Sequence, residues 1–239
     1  MKTDLGKYLV QLSALAERND PQFFTSYLHL CHALKISQTK PKSLWEPLKR
    51  RAVIQGLLET ETVPGDVAEL GVFMGGGTFL LAETLINMHS DRVVFAVDSF
   101  KGLPAPQEQD CIPSRNNQTH YVEGMFKEAS YEYLSLVLKI WGLDNRVKVF
   151  KGFFEEVLPK VIASDHQFSL VIIDADQYQG TKFCLNFFYD MVSSGGRIYV
   201  DDYKGSFAEG VNRAVDEFLA EKNQDIEQGG GTMWFLRKS

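Results

Sequence analysis

The chain has 239 residues with a formal net charge of −6, and 44% of its residues are hydrophobic. That apolar fraction argues against global disorder, and the length fits one α/β domain with additions. The acidic balance gives no electrostatic reason to expect a nucleic acid or an anionic membrane as partner. No apolar run approaches the ~20 residues that cross a bilayer.

The cysteines and the first residues indicate a cytoplasmic protein. Cys31, Cys111 and Cys184 are odd in number and widely spread, so they form neither a zinc-binding pair nor a disulfide framework, which suits a reducing compartment. The N-terminus carries Asp4 and lacks the sustained apolar core and cleavage site of a signal peptide.

Residues 1–62 are predicted to form a helical extension. Leu5 and Leu9 begin a run at helical spacing, and a polar break at residues 37–42 precedes a further helix that ends near Thr62. The helix between these segments has apolar residues on several faces, which indicates contact with a second layer or a partner subunit. We expect this extension to shape a substrate pocket or an oligomer contact.

From residue 63 onward, strand patterns alternate with helix patterns. The strand candidates are residues 66–72, 92–98, 147–152, 169–176 and 197–202. Several are continuous apolar runs, typical of strands covered by helices on both faces. The tail, in which Gly229-Gly230-Gly231 separates two short segments, predicts a β-hairpin that adds an antiparallel edge. The expected fold is therefore a doubly wound, mostly parallel seven-stranded α/β sheet over residues 63–239.

Two helix patterns and one long irregular segment complete this domain. Apolar spacing predicts helices over residues 126–141 and 207–219, the second opened by a capping box of Ser206 and Glu209. Residues 100–123 contain several prolines and show no clear period. A loop this long is usually a functional lid or a disordered segment, and a simple surface insertion is the alternative.

A glycine-rich turn follows the first predicted strand. Gly71, Gly75 and Gly76 permit a tight turn and the close approach of a ligand to the backbone. Asp98 ends the second strand, where a carboxylate can bond both hydroxyls of a ribose. We interpret these residues as a nucleoside cofactor site. A turn that needs glycine only for its geometry is the alternative.

A different cofactor fits part of the same pattern. Gly71, Gly75 and Gly77 also match the turn of short-chain dehydrogenases, and Tyr178 and Lys182 supply the Tyr-x-x-x-Lys spacing of that class. An NAD(P)-dependent oxidoreductase is therefore the alternative function. It is disfavoured because the turn lies far into the chain and because the acidic residues of the later strands would have no role.

Two later strands end in carboxylates, Asp174 with Asp176 and Asp201 with Asp202. The carboxyl ends of parallel strands line one crevice, so these acids should lie close together and repel each other unless a cation compensates. Oxygen ligands without histidine or cysteine favour Mg²⁺ over zinc. The alternative is that these acids merely cap the following helices.

Taken together, the residues resemble the macrocin O-methyltransferase family, whose members methylate sugars of macrolides and of novobiocin-like antibiotics. The resemblance covers about residues 63 to 237. It rests on the segments VPGDVAELGV (63–72) followed by two glycines, VDSFKGLP (97–104), VFKGFFEEVLP (149–159), IDADQY (173–178), VDDY (200–203) and AVDEF (214–218). One departure follows Asp176, where QYQGT stands in place of the family's common LYEST. Residues 1–62 and the lid segment show no match to the family, and both are expected to help shape the acceptor pocket.

The resemblance implies a class I S-adenosylmethionine methyltransferase that depends on magnesium, acts on a small hydroxylated acceptor such as a sugar, cyclitol or catechol, and forms a dimer or larger homo-oligomer. The cofactor residues that it implies, with neighbours in the same turns, are Glu69, Gly71, Gly75, Gly76, Asp98, Ser99, Gly152, Phe153 and Asp174. The metal ligands that it implies are Asp174, Asp201 and Asp202. Asp176 is the candidate general base, with His120 of the lid as a rival. A methyltransferase-like protein that binds without catalysis is a third possibility.

Overall fold

The structure, a computed structural model, describes residues 43–113, 116 and 118–239. The predicted helices of residues 1–42 lie outside this range. The last predicted helix of the extension is confirmed as α1 (Pro47–Glu59), which begins with a proline in its first turn, where the missing N–H has no helical partner to lose. Within the described residues, no helix is both long and apolar enough to span a membrane.

In this part of the chain, helices and strands alternate as expected, and the strands form one seven-stranded sheet. The strands are β1 (Asp66–Leu70), β2 (Val94–Asp98), β3 (Val147–Lys151), β4 (Phe168–Ile173), β5 (Val192–Val200), β6 (Glu227–Gly230) and β7 (Met233–Arg237). The helices after α1 are α2 (Gly76–Asn87), α3 (Tyr131–Ile140), α4 (Phe154–Val161), α5 (Tyr178–Tyr189) and α6 (Glu209–Lys222).

The strand order is β3-β2-β1-β4-β5-β7-β6. Strands β1 to β5 pair in parallel, and the predicted C-terminal hairpin adds β7 antiparallel to β5. The chain builds outward from β1 to β3 and then returns to place β4 on the other side of β1. This reversal opens a crevice beyond the carboxyl ends of β1 and β4, the usual ligand site of a doubly wound sheet.

Successive strand residues face opposite sides of the sheet, and each side has its own apolar core. Val67, Ala96 and Ile172 pack against α1, α2 and α3, whereas Ala68 and Val97 pack against α4, α5 and α6. Fully burying a side chain of valine or leucine size contributes about 1.5–3 kcal/mol. This two-sided burial explains why the strands are continuous apolar runs, and it confirms the predicted fold class.

Most predicted strands extend too far at their carboxyl ends. The predicted strand ranges include Gly71, Gly152 and Asp176. All three residues have positive φ, at 93°, 147° and 61°, which takes the backbone out of an extended conformation. Asp202, at 60°, does the same after β5. The acidic residues and the glycines therefore lie in the turns beyond the strands, at the mouth of the crevice.

The helix predicted over residues 126–141 begins late. Phe126 has a φ of 67°, which a right-handed helix does not allow, and α3 starts only at Tyr131. Ser130 is its N-cap, and the Ser130 hydroxyl accepts a hydrogen bond from the Tyr133 N–H. The apolar spacing was still informative, because Phe126 lines the crevice.

The predicted capping box of Ser206 and Glu209 is wrong. Helix α6 begins at Glu209, and its N-cap is Ala208, which makes no side-chain hydrogen bond. The loop before α6 is held instead from inside the helix: the Asn212 side chain accepts from the Lys204 N–H at 2.6 Å and also bonds the preceding loop. The start of α6 is therefore fixed by that amide.

Candidate active site

A cleft of about 310 Å³ opens beyond the carboxyl ends of β1, β2, β4 and β5, a size within the usual range for small-molecule sites. Its walls include the predicted site residues Gly71, Asp98, Ser99, Gly152, Phe153, Asp174, Asp176, Asp201 and Asp202. The sequence prediction that the glycine turn and the acidic residues share one crevice is thus confirmed in geometry.

Asp98 holds the glycine turn in place. Its Oδ2 accepts hydrogen bonds from the N–H groups of Val72 at 2.8 Å and Phe73 at 2.9 Å, and its Oδ1 accepts from the Phe100 N–H at 2.7 Å. A carboxylate offers about four lone-pair sites, and these three N–H groups use three of them, so Oδ1 keeps one site that can accept from a ligand hydroxyl at the cleft wall. Asp98 therefore positions the turn and remains able to bind a ribose.

The glycines of the turn have clear geometric reasons. A Cβ on Gly71 would collide with the Asp174 carbonyl oxygen, and a Cβ on Gly75 would collide with Leu134. Gly75 is the left-handed N-cap of α2, with a φ of 86°. Gly71 lines the cleft, whereas Gly75 and Gly76 are not among its lining residues. Their place is the N-terminus of α2 behind the turn.

Glu69 is also behind the cleft wall. Its side chain is 1% exposed, and its carboxyl group accepts a hydrogen bond from the Thr78 hydroxyl. Burial raises the pKa of Glu69 to about 8, with a further contribution from the negative charge of Asp98. Gly77 leaves room for this carboxyl, because a Cβ there would strike it and the Trp45 ring. Glu69 thus supports the turn from beneath.

The four acids at the ends of β4 and β5 lie together. Burial, and then the negative charges of the neighbouring acids, raise the pKa of Asp174 well above its usual range. The same causes raise the pKa of Asp176 to about 8. Burial and Asp202 also raise the pKa of Asp201, although Lys49 opposes them. Full ionisation of all four acids would therefore place more negative charge in the cleft than the protein itself compensates.

Two groups that sequence reasoning missed contact this cluster from α1 and the segment before it. The Trp45 indole donates a hydrogen bond to Asp174 Oδ2 at 3.0 Å. The Lys49 Nζ lies 2.6 Å from Asp201 Oδ1 and 3.0 Å from Asp202 Oδ1. The only sequence signal was their position at the start of a helix that precedes the domain. Both residues line the cleft.

The predicted lid, residues 100–123, packs against the domain at several points. Leu103 and Pro104 line the cleft, and the Pro104 carbonyl accepts a hydrogen bond from the Gln177 side chain at 3.0 Å. Asp110 Oδ1 accepts from the Tyr178 N–H at 2.7 Å. The described residues of this segment are irregular apart from a short 3₁₀ turn at Glu108–Asp110 and a single bridge between Ile112 and Gln118. Its position over the cleft fits the lid interpretation.

In the predicted lid, the residue that contacts the acidic cluster is Tyr121 and not His120. The Tyr121 hydroxyl donates to Asp202 Oδ2 at 3.3 Å, and the side chain is 5% exposed. His120 is exposed, and its ring lies 5.3 Å from that of Phe207. Because His120 is not among the cleft-lining residues, its position does not support a role as general base.

Tyr178 and Lys182 lie outside the cleft. Lys182 Nζ bonds the Tyr178 hydroxyl at 2.6 Å, and both groups bond Glu217 of α6. Tyr178 is the first residue of α5. This pair binds α6 and is not among the cleft-lining residues. Its position therefore does not support the catalytic role that a dehydrogenase would require of it.

The donor chemistry of the cleft fits a hard divalent cation, because several carboxylates with raised pKa values face one space. Among the described residues, no three Asp, Glu, His or Cys side chains are already arranged as a metal-binding group. The Lys49 ammonium lies against Asp201 and Asp202. A metal ion there would require this ammonium and the carboxylates to rearrange.

Comparisons with known proteins find similar sequences that are named O-methyltransferases. The chain is 31% identical over 160 residues to demethyldecarbamoylnovobiocin O-methyltransferase of Streptomyces niveus, covering 66% of this chain and 59% of that protein. It is 29% identical over 163 residues to mycinamicin III 3''-O-methyltransferase of Micromonospora griseorubida, covering 65% and 63%. The match thus spans about three fifths of the length of these relatives.

Solved structures show the same fold. The O-methyltransferase NovP superposes with a TM-score of 0.64 at 26% identity, covering 80% of this chain and 78% of that one. Calicheamicin methyltransferase CalS11 superposes with a TM-score of 0.67 at 17% identity, covering 97% and 91%. The profile of the macrocin-O-methyltransferase (TylF) family matches residues 49–236, a range that holds every cleft residue discussed above except Trp45, and the chain belongs to that family.

Proposed function

We propose that this protein is an S-adenosylmethionine-dependent O-methyltransferase that acts on a hydroxyl group of a small natural product, with a sugar or polyol as the acceptor. The observation that carries the proposal is one cleft that joins Asp98 and its glycine turn to the four acids Asp174, Asp176, Asp201 and Asp202. Membership of the family supports the reaction class. The names of the two curated relatives support a natural-product acceptor.

The cofactor half of the cleft is the part beside β1, β2 and β3. Asp98 would accept a hydrogen bond from a ribose hydroxyl through Oδ1, and Gly71 allows the backbone to approach the cofactor closely. Gly152 and Phe153 also line the cleft, at the end of β3 and the start of α4, and the Gly152 N–H donates to the Asp98 carbonyl at 2.9 Å. Glu69, Gly75 and Gly76 would act from behind, by fixing the turn rather than by touching the ligand.

The acceptor half is the acidic part. Asp174, Asp201 and Asp202 would hold Mg²⁺, whose charge makes a bound hydroxyl group easier to deprotonate. Asp176 would take the proton of the acceptor hydroxyl, because it lines the same cleft and is the acid of the cluster not assigned to the metal. Bound S-adenosylmethionine would supply the methyl group, with its carbon–sulfur bond breaking to leave a thioether, and Asp176 would hold the proton of the acceptor hydroxyl.

The resemblance to the family is also the basis for proposing a homo-oligomer. The acceptor itself is a proposal at the level of its chemistry. Adjacent hydroxyl groups, as in a sugar, a cyclitol or a catechol, could engage the acidic half of the cleft at two points. Aromatic and apolar side chains at the cleft mouth, such as Phe126 and Leu103, would cover the face of such a ring.

The test is a methyl-transfer assay with labelled S-adenosylmethionine over a panel of glycosides, cyclitols and catechols. Calorimetric titrations with S-adenosylmethionine and with NAD are run in parallel. We expect S-adenosylmethionine binding and label transfer to at least one acceptor. Tight NAD binding without S-adenosylmethionine binding would overturn the proposal. Cofactor binding without transfer to any acceptor would favour the non-catalytic alternative.

Two variants separate the roles within the cleft. Asp176→Asn removes the proton acceptor and should lower turnover by about 10²–10⁴-fold, the usual contribution of general-base catalysis, without weakening cofactor binding. Asp201→Asn should lower metal affinity and turnover together. Undiminished turnover by EDTA-treated enzyme would contradict the magnesium part of the proposal and leave the methyl-transfer part standing.

A further inference from the structure

A lysine side chain reaches into the acidic cluster from a helix that sequence analysis placed outside the catalytic domain. Lys49 lies in the first turn of α1, and its ammonium pairs with Asp201 at 2.6 Å and with Asp202 at 3.0 Å. The Lys49 and Asp201 side chains are 13% and 5% exposed. The Lys49–Asp201 ion pair is therefore largely shielded from water. Charges interact more strongly in such a shielded site than at the protein surface.

The lysine compensates only part of the charge. Asp174 and Asp176 line the same cleft, and Asp174 accepts a hydrogen bond from the neutral Trp45 indole rather than from the lysine. The Lys49 ammonium is shared between the two carboxylates that follow β5.

The same oxygen atoms cannot serve a lysine and a divalent cation together. Two positive charges within ~4 Å of each other in a shielded site repel strongly. Lysine is suited to leave, because its ammonium is a compact charge on a flexible four-carbon stem. Asp202 would not be left without a donor, since the Thr232 hydroxyl also bonds its Oδ1 at 3.0 Å.

We propose that Lys49 is an internal counter-ion that holds Asp201 and Asp202 together in the metal-free protein and is displaced from them when a divalent cation binds. This inference rests on the magnesium site of the proposed function. It makes Lys49 a positioning residue rather than a catalytic one. The lysine keeps the carboxylates assembled between turnovers, and it also weakens cation binding because the cation must compete with it.

The test compares Mg²⁺ binding and thermal unfolding of EDTA-treated protein in the presence of S-adenosylmethionine. Lys49→Met keeps most of the stem and removes the ammonium. We expect it to bind Mg²⁺ at least about tenfold more tightly than the wild type, because a competing charge is gone. Without metal it should melt at a lower temperature than the wild type, and saturating Mg²⁺ should restore more of its stability.

Arg50→Met is the matched control, since the neighbouring Arg50 is exposed on the same helix and its loss changes the net charge equally. It should bind Mg²⁺ as the wild type does. If Lys49→Met fails to fold, Lys49→Gln offers a polar head without charge and should show the same tighter binding.

The outcomes distinguish the two proposals. If the wild type binds Mg²⁺ and both Lys49 variants bind it no more tightly, the counter-ion inference is overturned while the magnesium site stands. If none of the proteins binds Mg²⁺, the magnesium site and this inference both fail, and methyl transfer is judged by its own assay.

Discussion

The indole nitrogen of Trp45 lies 3.0 Å from Asp174 Oδ2, although the two residues are 129 positions apart in the chain. The hydrogen bond connects the segment before α1 to the acid that follows β4, in the middle of the sheet. Trp45 is 4% exposed, and its ring packs over Gly77 at the start of α2. The residues before the sheet are therefore part of the cleft wall.

Trp45→Phe keeps an aromatic ring at this position and removes the donor to Asp174. We expect a loss of unfolding free energy from two sources, the smaller ring and the missing hydrogen bond, the second of which is typically about 1 kcal/mol. A double-mutant cycle with Asp174→Ala, measured by urea denaturation, separates them. The cost of Trp45→Phe should shrink by that amount in the Asp174→Ala background, and an unchanged cost would contradict the importance of this bond.

Asp98→Ala should weaken S-adenosylmethionine binding. The substitution removes the hydrogen bond that Oδ1 would accept from a ribose hydroxyl, roughly 1.5–3 kcal/mol for a bond to a charged group. It also releases the N–H groups of Val72 and Phe73, so the glycine turn loses its clamp. Calorimetry on Asp98→Ala and on the exposed control Asp144→Ala measures the effect. Equal affinities would contradict a role of Asp98 at the cofactor.

Residues 100–123 should open and close over the cleft. The segment is held at separate points, by Pro104, Asp110 and Tyr121. Its described residues are irregular apart from a short 3₁₀ turn and one bridge, which favours local opening. We expect amide exchange in this segment to slow when cofactor and acceptor are both bound. Exchange in the β6–β7 hairpin is the internal reference. Equal protection of the segment with and without ligands would count against a lid.

The positions of the acidic residues were predictable because of a general property of parallel sheets. A strand that is apolar to its end and then carries Asp174 or Asp201 places that side chain at the carboxyl edge, and neighbouring strands bring such edges together. The same reasoning extended the strands too far, because the apolar pattern continues through Gly71 into the turn. Positive φ at Gly71 and Asp202 ends each strand where composition alone gave no signal.

The contributions of α1 were not predictable in the same way. Trp45 and Lys49 are remote in sequence from the acids they contact, and α1 could have packed on either face of the sheet. Their contacts depend on packing of Val53 and Leu57 against the sheet, which fixes the rotation of the helix. His120 was a candidate because its residue type suits catalysis. The residue of this segment that contacts the acidic cluster is its neighbour Tyr121.

Glu69 should make the stability of the cofactor-free protein depend on pH. Burial raises the pKa of its carboxyl group to about 8 in the folded protein, whereas in an unfolded chain it titrates near 4.5. Between these values the folded protein holds a proton that the unfolded chain has released. The stabilisation is therefore complete below about pH 4.5 and is lost progressively as the pH rises to about 8, at about 1.4 kcal/mol per pH unit.

Glu69→Gln keeps the shape of the side chain and a partner for the Thr78 hydroxyl, but it cannot ionise. Its unfolding free energy, relative to that of the wild type, should therefore increase steadily from pH 5 to pH 8 and level off above that range. The exposed control Glu128→Gln should run parallel to the wild type over the same range. Urea denaturation at one-unit pH intervals measures the three curves. If Glu69→Gln also runs parallel to the wild type, Glu69 is ionised in the folded protein, and a charge partner for it would have to exist near the Asp98 turn.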